Sequence, residues 1–367
     1  MRTVRPAAEH LKNLEPYDPK YLPARVYLNA NENPYGMPES ARAEFLCRVE
    51  DEPLHRYPDP LAKQLRSKVA AKLGLEPECV VLGNGGDELL FNLCLAFGGA
   101  GRSLLTAPPT FSAYDTDALL THTELVEIPR ATGLNPAGQL DFSVNEQAIL
   151  ERVSSGSIDI VILTSPNNPT GDCLSLDFIR KLLEATDAVV LIDQAYVEFS
   201  NPAYDTSSLL AEHTNLAILR TFSKAYGLAG MRIGYLAASE EITRELCKVR
   251  QPYSVDRLAA LAALTALEAD DEVQRTVANI VSERERLAQR LGQEGLGIPL
   301  ASSEANYLLI KIPDAQSVWQ QLYDGYGILV RDLSQVKGLE DCLRVSIGTP
   351  EENDQFVEAL EELRIEN

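Results

Sequence analysis

The chain has 367 residues, of which 45% are hydrophobic and 24% charged, enough for one large domain and a smaller one. Its formal net charge of −21 excludes nucleic acid and anionic membrane surfaces as main partners, and leaves any anionic ligand dependent on a local cationic pocket. The six cysteines and four histidines are scattered without metal-ligand spacing, the start lacks a signal-peptide pattern, and no apolar run reaches membrane-spanning length; free thiols, no metal and a cytoplasmic location are expected.

The first forty or so residues, rich in proline and tyrosine, read as a segment draped over the rest. From about residue 60 to 250, short apolar runs alternate with amphipathic stretches, which predicts an α/β sheet, mostly parallel. In such sheets ligands bind beyond the carboxyl ends of the strands. The strand at 80–82 runs into Gly83-Asn84-Gly85-Gly86-Asp87-Glu88, a glycine turn opening a helix. Free N–H groups there favour phosphate, although a plain tight turn has the same look. The strand at 103–105 leads to Pro108-Pro109-Thr110-Phe111-Ser112-Ala113-Tyr114, where an aromatic ring stacks on a flat ligand or packs in the core. Strand 159–163 ends in Ser165-Pro166-Asn167-Asn168-Pro169-Thr170-Gly171, an asparagine between prolines that offers its amide to a ligand oxygen or simply closes a turn. Strand 188–192 ends in Asp193-Gln194-Ala195-Tyr196. A carboxylate at that place needs a cation or several donors, or else caps a helix.

Strand 216–219 carries the most informative run, Thr221-Phe222-Ser223-Lys224 through Arg232. A lysine at a strand end inside a pocket can lose its proton and form a Schiff base. Hydroxyls and an arginine beside it can hold a phosphate, and together they describe a site for pyridoxal 5′-phosphate. After a strand at 233–237, residues 254–294 read as one long helix linking to a C-terminal unit. That unit has predicted strands at 307–312, 328–331 and 343–347 and helices at 315–323 and 351–363.

These motifs in this order resemble the fold-type-I pyridoxal-phosphate-dependent aminotransferases over nearly the full chain, and within them the histidinol-phosphate aminotransferase family. The narrower likeness rests on Leu28-Asn29-Ala30-Asn31-Glu32-Asn33-Pro34-Tyr35-Gly36, Arg56-Tyr57-Pro58, residues 220–235, Gly327-Ile328-Leu329-Val330-Arg331-Asp332 and Leu343-Arg344-Val345-Ser346-Ile347-Gly348-Thr349. The resemblance implies a large domain with a mostly parallel central sheet between helices (46–260) and a smaller α/β domain (261–367). It also implies an N-terminal segment (1–45) packing with the small domain and a partner subunit of a homodimer. It assigns Lys224 the Schiff base and proton shuttle, Asp193 the pyridine nitrogen, and Asn168 and Tyr196 the ring oxygen. The backbone of Gly86 and Asp87, with Thr221, Ser223 and Arg232, would take the phosphate. Phe111 would cover the ring, and Tyr57 would reach the phosphate from the other subunit. Tyr17, Asn168, Arg331 and Arg344 would meet the substrate.

The implied reaction passes an amino group from glutamate, leaving 2-oxoglutarate, to imidazole-acetol phosphate, giving histidinol phosphate in histidine biosynthesis. The alternatives are an aromatic or broad-range amino-acid aminotransferase, a threonine-phosphate decarboxylase, and a cofactor-binding regulator without turnover.

Overall fold

A computed structural model describes residues 4–5, 7–12, 14, 22–299 and 302–366. Its strands in chain order are β1 (Val26–Leu28), β2 (Val80–Gly83), β3 (Ser103–Thr106), β4 (Glu124–Glu127), β5 (Gly133–Leu134), β6 (Leu140–Asp141) and β7 (Ile160–Thr164). They continue with β8 (Val189–Asp193), β9 (Leu216–Thr221), β10 (Gly234–Ala238), β11 (Ile298–Pro299), β12 (Tyr307–Lys311), β13 (Ile328–Asp332) and β14 (Cys342–Ser346).

A seven-stranded sheet has the order β2-β10-β9-β8-β7-β3-β4. It is mostly parallel, as expected; β10 alone runs against its neighbours β9 and β2. β7 and β8 are buried at every position, and strands covered on both faces carry no polar alternation. Helices pack over them. Helix Leu176–Glu184 starts at Ser175, whose hydroxyl accepts from the Phe178 N–H at 3.1 Å. Its Phe178, Ile179 and Leu182 join the core that contains Val161, Leu163 and Val190.

The stretch read as one helix over 254–294 is two, Arg257–Glu268 and Asp270–Glu294. Ala269 leaves helical geometry between them (φ −101°, ψ 30°). Asp270, Asp271 and Glu272 then sit in the first turn of the second helix, where acidic side chains complement the helix dipole. An alanine carries no breaker signal, so the apolar periodicity ran through it.

A second sheet, β1-β13-β14-β12-β11, brings the N-terminal strand into parallel pairing with β13. On the adjacent antiparallel strands, Arg331 and Arg344 are direct register partners. Like charges directly opposite each other disfavour a ladder.

Candidate active site

The seven-stranded sheet presents its strand ends at one edge. Gly83, Gly234 and Thr221 lie side by side on β2, β10 and β9, because β10 enters antiparallel. Helix Gly85–Phe97 opens immediately after β2, with Gly86 and Asp87 in its first turn, where backbone N–H groups have no helical partner. Gly85 has φ +81°, and a Cβ there would stand 2.6 Å from the Arg232 guanidinium. Glycine is what lets Arg232 lie across the helix start. Arg232 is itself left-handed (φ +50°) and is held by Asp87 at 3.2 Å and the Ala229 carbonyl at 3.1 Å. Beside them the Thr221 hydroxyl donates to Ser223 Oγ at 2.9 Å and accepts from the Ser223 N–H at 3.0 Å. Helix N–H groups, two hydroxyls and a guanidinium make a cradle for a dianion.

Asp193 ends β8 and is buried. Its Oδ2 accepts from the Tyr114 hydroxyl at 2.8 Å and its Oδ1 from the Ala195 N–H at 3.0 Å. Both partners are neutral, and burial pushes the carboxyl up to about 6. Tyr114 also meets Thr164 Oγ1 at 2.7 Å. Phe111 stands edge-on to Tyr114, with ring centroids 5.7 Å apart.

Lys224 is half-buried, and desolvation first, then the Arg344 charge, brings its amine down to about 8. Its Nζ donates to the Ala30 carbonyl at 3.0 Å. The Tyr196 oxygen accepts from Asn31 Nδ2 at 3.0 Å, and burial raises the phenol's pKa, which keeps it a proton donor. Arg344 spreads its fork between Asn168 Oδ1 at 2.6 Å and the Asn29 carbonyl at 2.7 Å, with the guanidinium 5.4 Å from the Tyr307 ring centroid.

One cavity of about 560 Å³ collects Gly86, Asp87, Phe111, Asn168, Asp193, Tyr196, Thr221, Ser223, Lys224, Arg232, Arg331 and Arg344. Tyr57 is not on its wall: it is 79% exposed and stacks on Tyr253 at 4.6 Å. Tyr17 lies outside the described residues. Sequence reasoning gave no role to Tyr114 or Asn31, though both stood within quoted motifs. For Tyr114 the only signal is its spacing, three residues beyond Phe111.

Residues 24–360 match the family "Aminotransferase class I and II". "Histidinol-phosphate aminotransferase 1" of Carboxydothermus hydrogenoformans is 40% identical over 364 residues, covering 99% of this chain and 100% of that protein. "Histidinol-phosphate aminotransferase" of Chlorobaculum tepidum is 38% identical over 360 residues, covering 98% of this chain and 100% of that protein. The crystal structure of histidinol-phosphate aminotransferase from Sinorhizobium meliloti, in complex with pyridoxal-5′-phosphate, superposes with a TM-score of 0.87 over 98% of this chain and 99% of that one. At 23% identity that likeness shows the shared fold.

Proposed function

This chain belongs to the class I and II aminotransferase family, and from that premise we propose that it moves an amino group between L-glutamate and imidazole-acetol phosphate, yielding 2-oxoglutarate and L-histidinol phosphate. The observation that carries the reading is a single cavity holding a pKa-lowered lysine, a buried carboxylate with neutral partners, an anion cradle and two paired arginines.

Pyridoxal 5′-phosphate is the family's cofactor, and the residues fit it. Among the described residues Asp193 has only neutral hydrogen-bond partners, and a protonated ring nitrogen would supply a cation. The space above Gly85 that a Cβ would fill is where Arg232 and the helix start converge, as a phosphate requires. When bound, the cofactor supplies a carbonyl that carries the amino group and a ring that withdraws electrons from the reacting carbon.

The chain's own residues do the rest. Gly86 and Asp87 N–H groups, Thr221, Ser223 and Arg232 would hold the phosphate. Asp193 would favour the protonated ring nitrogen. Asn168 and Tyr196 would hold the ring oxygen, and Phe111 would cover the ring. With its pKa lowered to about 8, the Lys224 amine keeps a neutral fraction near neutral pH that can take a proton from the reacting carbon and return it. Arg344, aimed by Asn168 and Asn29, offers a planar fork to a carboxylate or a phosphate ester, and Arg331 adds a second charge for the phosphate. Six unpaired cysteines support a reducing, cytoplasmic setting.

The test is a specificity panel. The kcat/KM for imidazole-acetol phosphate should exceed that for phenylpyruvate and other 2-oxo acids with glutamate as donor. A preference for phenylpyruvate would make this an aromatic amino-acid aminotransferase, and CO2 release from threonine phosphate would make it a lyase.

Arg344→Lys is expected to lower kcat/KM about 10- to 100-fold in both half-reactions. An ammonium cannot keep Asn168 and Asn29 and still present a fork, and a hydrogen bond to a charged group is worth about 1.5–3 kcal/mol. Separate stopped-flow measurements with glutamate and with imidazole-acetol phosphate check it; a defect with one alone would give the two anions separate anchors.

The exposure of Tyr57 supports its acting across a homodimer. A mixed dimer of one Lys224→Ala subunit and one Tyr57→Phe subunit is expected to contain one site that binds the cofactor with wild-type affinity. That site has its own Lys224 and the neighbour's Tyr57. Titration at limiting cofactor checks it, and affinity no better than the Tyr57→Phe homodimer would place Tyr57 in cis.

A further inference from the structure

Asn31 is 1% exposed and adopts a left-handed backbone, φ +53°. Its surroundings fix it on every side. Its N–H donates to Ser346 Oγ at 2.8 Å, and that same hydroxyl donates to Asn31 Oδ1 at 3.2 Å. Its carbonyl accepts from Asn306 Nδ2 at 3.0 Å. Ser346 and Asn306 are buried and belong to the C-terminal sheet region, 315 and 275 residues away in sequence.

The amide lies with Oδ1 toward Ser346, whose hydroxyl receives the Asn31 N–H and gives its proton to that oxygen, and with Nδ2 toward Tyr196, where it donates to the phenol oxygen at 3.0 Å. With that lone pair taken by a donor, the Tyr196 proton turns elsewhere, and the open direction is the cavity that Tyr196 lines.

The neighbouring backbone acts in the same place. The peptide that carries the Ala30 carbonyl is the one whose orientation φ of Asn31 sets, and that carbonyl receives Lys224 Nζ at 3.0 Å. One residue earlier, the Asn29 carbonyl receives Arg344. Asparagine is among the few side chains that accept a left-handed backbone without large strain.

We propose that Asn31 is a positioning residue: its amide, locked by Ser346, aims the Tyr196 hydroxyl at the bound cofactor's ring oxygen, and its left-handed turn sets the carbonyl that steadies the Lys224 amine. The inference rests on the reading that the cavity binds pyridoxal 5′-phosphate. Asn31 touches none of the reacting atoms in this role; it acts through Tyr196 and Lys224.

The two halves separate by substitution. Asn31→Gly keeps the left-handed backbone and removes only the amide. A hydrogen bond donated to the ring oxygen favours its deprotonated form, so weakening that bond raises the pH midpoint of the bound cofactor's visible absorption. Asn31→Gly should raise that midpoint in the same direction as Tyr196→Phe but by less. It should also weaken cofactor affinity, by about threefold to tenfold, the size of one neutral hydrogen bond. In a Tyr196→Phe background the same glycine substitution should add nothing to either quantity. Asn31→Ala should do more harm than glycine to turnover, because it loses the backbone geometry as well.

If Asn31→Gly fails to fold, Ser346→Ala serves instead: it unlocks the amide while leaving Asn31 in place, and the midpoint should rise by a smaller amount. An unchanged midpoint and affinity in the folded variant would overturn the proposal. So would effects that persist in full when Tyr196 is phenylalanine, since a merely structural asparagine acts independently of that hydroxyl. The underlying reading fails separately: wild-type protein would then show no visible absorption band with pyridoxal 5′-phosphate at all.

Discussion

Replacing Lys224 by alanine is expected to lower turnover at least about 10⁴-fold while leaving the cofactor-free protein folded and no less stable at pH 7. In the proposed reaction the amine is both the proton carrier for the reacting carbon and the nucleophile offered to a carbonyl, so its loss would remove two contributions together. Stability moves the other way. Desolvation and Arg344 lower the amine from its ordinary value of 10.5 to about 8. Between those two values the folded protein holds fewer protons than the unfolded chain, so wild-type stability rises with pH through that window. At pH 7 the charged amine is present in both states and the folded protein bears the full penalty. Removing it offsets the lost hydrogen bond to Ala30, for a net gain of about 1–3 kcal/mol. Chemical denaturation of the cofactor-free proteins at pH 7 and pH 10 checks this. The variant's advantage should shrink toward pH 10, and a pH-independent difference would deny Lys224 its lowered pKa. Borohydride reduction of wild-type protein with pyridoxal 5′-phosphate, followed by peptide mapping, should place the label on Lys224. A label on another lysine would remove the assignment altogether.

The legible part of the molecule was the part whose physics is local. β7 and β8 are buried on both faces and end at a polar turn, so the apolar run and the residue that stops it stand next to each other in the chain. Asp193 at the end of β8 and the Ser165-Pro166-Asn167-Asn168 turn after β7 are read this way, and the same logic reached Lys224 after β9. Strand β4 was missed because Glu124-Leu125-Val126-Glu127 is only half-buried at the sheet edge and carries charge at both ends. The break at Ala269 was missed because the helix restart is made by three acidic residues rather than by a breaker.

The site was read less completely than the fold because its supports come from far away. Asn31 meets Tyr196 across 165 residues and Ser346 across 315, and Asn168 meets Arg344 across 176. No spacing rule sees such pairs. Arg331 and Arg344 entered only through resemblance, although their register pairing carries an argument of its own once the sheet is known. The Ala30 and Asn29 carbonyls have no side-chain signature at all, and they receive Lys224 and Arg344, the two basic groups central to the proposed reaction.

Asp193→Asn is expected to separate activity from stability most sharply. The carboxylate sits at about 6 in the folded protein against an ordinary 3.8, with burial as the leading cause. A raised folded-state pKa means the folded protein keeps a proton that the unfolded chain gives up between those values, so stability falls as pH rises through that window and the penalty is complete at pH 7. Two units correspond to about 3 kcal/mol, an upper figure for what a neutral side chain would recover. Asparagine can take the site over. Its oxygen accepts from the Ala195 N–H, and its NH₂ donates to Tyr114, whose hydroxyl turns to give its proton to Thr164 at 2.7 Å. The cofactor-free variant should therefore be more stable than wild type at pH 7 by about 1–3 kcal/mol, and the advantage should vanish near pH 4. Activity should fall by about 10²–10³-fold, the size lost when one preorganised electrostatic partner is removed, with cofactor retention reduced much less because the phosphate cradle is untouched. Urea denaturation at pH 4, 5.5 and 7, alongside kcat on the loaded enzyme, tests both halves. A variant with near-wild-type turnover would make Asp193 a structural carboxylate, and one less stable than wild type at pH 7 would mean that the buried charge is already compensated.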